Sequence, residues 1–69
     1  MSWSATKSQR VLSALLRIGW QVVRTRGSHR TLAREGWPNH SFAWHDGVEI
    51  GPKMLSRIGK ETGLAPADL

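Results

Sequence analysis

The chain has no cysteine among its 69 residues. That excludes a disulfide framework and a thiolate metal site, and it fits a reducing compartment. Long apolar runs are missing too: none approaches the roughly 20 residues that a membrane span needs. The opening "MSWSATKSQR" holds no apolar stretch of the kind a secretory signal carries. These absences lead us to expect a soluble, cytoplasmic protein with no membrane association. There are no internal repeats, no low-complexity tracts and no shift of composition, so residues 1–69 read as a single domain. A domain this short buries only about 60% of its unfolded surface, and its core must be thin. Acids are scarce. Five Asp and Glu face ten Lys and Arg, for a net charge of +5 and a pI of about 11.3. That is the electrostatic footprint of a polyanion binder.

Hydrophobic periodicity orders the chain. Residues 7 to 18, "KSQRVLSALLRI", read as a helix whose stripe is Val11, Leu12, Leu15, Leu16 and Ile18. Thr6 can cap the start with Gln9 completing a capping box, Ser4 is a second cap candidate that would start the helix earlier, and Gly19 ends the helix. Residues 20 to 24, "WQVVR", form a strand of aromatic and β-branched residues. "TRGS" supplies a turn, and residues 29 to 34 return as a second strand. "EGWPNH" is a loop. Residues 41 to 45 alternate as a third strand with Phe42 and Trp44 inward, before a turn at Asp46-Gly47. Pro52 opens a last helix, "PKMLSRIGKET", with Met54, Leu55 and Ile58 as its buried face. Gly63 closes it and Leu64 folds back as an apolar contact. The order is α-β-β-β-α. We expect an α+β domain, a three-stranded antiparallel sheet with both helices on one face.

The segment "VVRTRGSHRTLAR" carries the chemistry. His29 stands among Arg24, Arg26 and Arg30, where like charges crowd. One reading is a solvated hairpin tip. The other is an anion site. RNA carries its own nucleophile, the 2′-hydroxyl, so cleavage needs a base to deprotonate it and cations to stabilise the crowded phosphate. Histidine suits the first task, and arginine's planar fork suits the second. Gly27 and Ser28 let backbone approach a phosphate closely. On the last helix Lys53, Arg57 and Lys60 share one face, fit for a phosphate backbone or simply exposed. His40 lies in a loop and reads as structural or solvated. His45, Asp46 and Glu49 match no standard metal spacing, so no metal is expected. His45 is also a possible acid for the leaving group. Trp20 and Trp44 read as core; Trp3 and Trp37 either fasten the chain ends and loop or stack on bases.

The run "GWQVVRTRGSHRTL" resembles the HicA-type toxin family, small ribonucleases of bacterial type II toxin–antitoxin modules. The residues that carry the resemblance are Gly19, Trp20, Arg24, Gly27, Ser28 and His29, followed by the late segment "PKMLSRIGKETGL" with Leu55 and Ile58. The resemblance implies a double-stranded-RNA-binding-domain-like (dsRBD-like) fold and metal-independent cleavage of mRNA, with His29 as the catalytic base. It also implies a HicB-like antitoxin that covers the active face. Many members have a basic or Pro/His-bearing stretch between the third strand and the last helix; here "HDGVEIG" brings Asp46 and Glu49 instead. The leading expectation is thus an mRNA interferase, monomeric when free. In it Gly27 and Ser28 shape the turn, and Arg24, Arg26, Arg30, Lys53 and Arg57 bind RNA. Two others stand beside it: an RNA-binding module without turnover, and a basic face that serves an acidic protein partner.

Overall fold

The structure is a computed structural model that describes residues 2–69. Its elements are β1 (Thr6–Lys7), α1 (Ser8–Arg17), β2 (Gln21–Arg26), β3 (His29–Ala33), β4 (His40–Ala43), β5 (Glu49–Ile50), α2 (Pro52–Thr62) and a closing 3₁₀ turn (Pro66–Asp68). β2, β3 and β4 form an antiparallel sheet in that order, and β1 pairs with β5 in a separate two-stranded ladder. The expected α-β-β-β-α frame and α+β class hold. The small ladder is additional.

Both helices cover one face of the sheet. Leu32 pairs with His40 across β3 and β4, and Arg30 pairs with Phe42. Paired residues point to the same face. Leu32, His40 and Phe42 are buried with Val11, Ala14 and Leu15 of α1 and Leu55 and Ile58 of α2. The alternate positions His29, Ser41 and Ala43 are exposed. The sheet therefore has one covered face and one open face, as antiparallel sheets commonly do.

Trp20 anchors this core. It precedes β2 rather than lying in it, and is 1% exposed. Its indole N–H donates to the Thr62 carbonyl at 3.0 Å, satisfying an end carbonyl of α2. Pro52 at the first helical position and Gly63 in the left-handed region (φ 78°) bound α2 where the sequence puts them. Leu64 folds back and is buried.

Several local expectations change. α1 starts at Ser8, and no side chain caps it. Thr6 is instead paired with Ile50 in the small ladder. Ser8 is buried because its backbone N–H donates to the Val48 carbonyl at 2.8 Å and its hydroxyl donates to the His45 carbonyl. Tertiary contacts thus outbid the local cap. Leu16 is 44% exposed and Met54 37%. Each sits at the margin of its helix stripe, beyond reach of so thin a core. Strand β2 runs two residues further than expected, to Arg26, and β4 ends at Ala43, so Trp44 is half-buried just beyond it. Trp3 and Trp37 fasten the structure. A methyl group on Gly59 would stand 2.7 Å from the Trp3 ring, and Trp37 packs edge-on against Trp20 at 6.0 Å.

Candidate functional site

The β2–β3 hairpin is built to a tight specification. Arg26 pairs with His29, which leaves Gly27 and Ser28 as a two-residue turn. Gly27 has φ 60° while Ser28 stays at negative φ, the signature of a type II′ turn, whose twist matches that of the strands. No atom lies within 4 Å of a methyl group built on Gly27. Glycine is needed there for its backbone, not for space.

The pairing sorts the arginines. Arg26 stands directly opposite His29, and Arg24 stands opposite Thr31, two residues along the same strand. Arg24, Arg26 and His29 therefore share the open face, with Arg24 on the diagonal from His29, within reach of a long side chain. All three are exposed. Arg30 pairs with the buried Phe42 and so projects to the other face. It is half-buried at the rim of the core. Adjacency along the chain grouped three arginines; the sheet keeps two of them with His29. A bulge contributes to the arrangement. Register shifts between Val22 and Arg24, so Val23 is an extra residue without a cross-strand partner.

Two of the three cations of α2, Lys53 and Arg57, stand on the other layer. Lys53 is exposed in the first turn of α2, and Arg57 lies 3.3 Å from Glu61, one helical turn on. The same Glu61 lies 3.3 Å from Nδ1 of His40. His40 opens β4 rather than lying in the loop, and it is buried with its ring edge-on to Trp20, the structural one of the two roles expected of it. Arg57 and Met54 form one wall of an open groove of about 240 Å³, and Ser41 and Ala43 of the free edge of β4 form the other. Because Ala43 pairs with His29, this groove continues the open face around the sheet edge.

His45 and Asp46 are exposed beyond β4. Glu49 is exposed in β5, opposite Lys7. Among the described residues no three His, Asp or Glu side chains converge as a metal site would require, and no helix is long and apolar enough to cross a membrane.

A family model described as "HicA toxin of bacterial toxin-antitoxin" matches residues 8–64. That span runs from the first residue of α1 to the apolar contact after α2, and it includes the whole hairpin. No curated protein and no solved structure matches the chain.

Proposed function

The chain belongs to the HicA toxin family of bacterial toxin–antitoxin systems, and from that premise we propose that it is a metal-independent endoribonuclease acting on mRNA in the cytoplasm. It is a toxin of such a module, and an antitoxin is its partner. The observation that carries the nuclease reading is the open-face group of His29 with Arg26 opposite and Arg24 on the diagonal. His29 takes the proton of an RNA 2′-hydroxyl. The freed oxygen attacks the adjacent phosphorus and expels the 5′-oxygen of the next nucleotide, which takes a proton from water and departs as a 5′-hydroxyl, leaving a 2′,3′-cyclic phosphate. Arg24 and Arg26 hold the phosphate and offset the charge that builds on it in the transition state. The net charge of +5 draws the polyanion in. Lys53 and Arg57 extend the basic surface for flanking phosphates. A HicB-like antitoxin silences the free monomer by covering the same face.

The test pairs two readouts. The chain and its His29→Ala variant are expressed in bacteria and incubated with single-stranded RNA, with and without a chelator. Growth arrest and cleavage that depend on His29 and survive chelation are the expected result. Equal behaviour of the two proteins would remove His29 from catalysis. RNA that binds but is never cut would leave a binding module instead.

A further inference from the structure

The acidic loop "HDGVEIG" is the part of the chain that a simple phosphate-binding surface does not use. It is held firmly. The carbonyl of His45 accepts from the buried Ser8 hydroxyl and from the Val48 N–H at 3.3 Å. The β1–β5 ladder fixes its far end. This clamp sets the loop against the hairpin tip. Together they line a shallow, open pocket of about 370 Å³, formed by Gly27, Ser28, Arg30, Trp44, His45 and Asp46.

The lining is chemically mixed. Trp44 packs on the core from one side and keeps part of its ring exposed. Arg30 and Asp46 carry opposite charges in the same pocket, yet among the described residues no ion pair joins them. A ligand that suits this pocket has a flat apolar face, an edge that accepts hydrogen bonds and an edge that donates them. A peptide carboxylate would suit Arg30 and repel Asp46. A peptide cation would do the reverse. A nucleobase satisfies both, and guanine does so most fully. Its O6 and N7 accept from an arginine fork, and its N1–H and amino group donate side by side to one carboxylate.

We propose that this pocket binds one unpaired guanine base of the RNA, stacked on Trp44, with Asp46 accepting from its Watson–Crick edge and Arg30 donating to O6 and N7. The inference rests on the ribonuclease reading and adds base selection to it. His29 lies between Ser28 and Arg30 in the chain, so a phosphate on the open face and a base in the pocket flank the same turn. The small residues Gly27 and Ser28 leave the strand room to pass over the tip. Trp44 thereby gains a role beyond packing, and Asp46, an acid that opposes phosphate binding, serves to read a base.

Uncleavable 2′-O-methyl oligouridylates bearing a single central guanine, hypoxanthine or adenine test the proposal by fluorescence anisotropy. The wild-type chain binds the guanine oligomer about tenfold or more tighter than the adenine oligomer, the worth of a good two-point base contact. Hypoxanthine, which lacks the amino group, falls between them. In Asp46→Asn, whose amide cannot accept both donors, the guanine-to-adenine ratio collapses. A melting curve and His29-dependent cleavage of ordinary RNA accompany each protein. If the wild-type chain cleaves RNA while guanine and adenine oligomers bind alike, the guanine pocket is overturned and the nuclease stands. A ratio that persists in folded Asp46→Asn also overturns it. If no oligomer binds and no RNA is cut, both readings fall.

Discussion

His40 and His29 stand on opposite faces of one sheet and show what each face does. On the covered face, His40 is enclosed, edge-on to Trp20 and 3.3 Å from Glu61. Its imidazole is a shaped, polar piece of core. On the open face, His29 is exposed and faces Arg26 across the strand pair. The same side chain serves architecture where it is enclosed and stands open to solvent where it is not. The division follows from strand alternation, because residues that differ by one position in β3 belong to different faces.

The comparison breaks most readily at the two histidines. His29→Ala should lower RNA cleavage by about 10²- to 10⁴-fold, the usual worth of a general base, and leave the melting temperature within error. His40→Ala should do the opposite. It opens a hole beside Trp20 and should cost about 2 kcal/mol of stability, seen as an earlier urea midpoint, while the folded protein still cuts RNA. A His40 variant that loses cleavage without losing stability would end the distinction between the faces.

Gly59→Ala probes the covered side again. Its new methyl group would meet the Leu64 carbonyl oxygen and the Trp3 ring, each at 2.7 Å. The clash should cost about 1–3 kcal/mol by overpacking, readable in thermal unfolding. On the open side, Arg24→Ala should weaken RNA binding with little effect on stability. It should also lower the slope of log affinity against log salt by about 0.7, the value for one phosphate contact on a single strand. An unchanged slope would take Arg24 off the RNA. Gly27→Ala should have the smallest effect, about 1 kcal/mol, since only the positive φ of the turn opposes it.

Much of the frame was legible in the sequence because its signals are local. Pro52 and Gly63 bound α2 through backbone chemistry that no tertiary contact needs to supply. Gly27 marks the turn for the same reason. The start of α1 was not legible: Ser8 is spent on the His45–Val48 loop, far along the chain, and that draws Thr6 into a strand. A ladder of two residues has too little periodicity to announce itself. In the candidate site, His29 was visible as a lone imidazole among cations. The split of Arg30 from Arg24 and Arg26 was not, because charge clusters are read along the chain whereas a sheet sorts them by alternation. Trp44 read as core for a related reason, its stop just beyond β4 being invisible until the strand's end was fixed.

The bulge at Val23 has a consequence for how this hairpin tolerates changes of length. Pairing on the tip side is counted back from the Gly27–Ser28 turn, and pairing on the root side is counted forward from Trp20 in the core. The two counts disagree by one residue, and Val23 absorbs the difference. Deleting Val23 would reconcile them with Arg24 still opposite Thr31. Inserting one residue between Arg24 and the turn would rotate Arg24 off the face it shares with His29. In genetic terms, the strand has one codon to spare, and it lies on the root side of the basic pair.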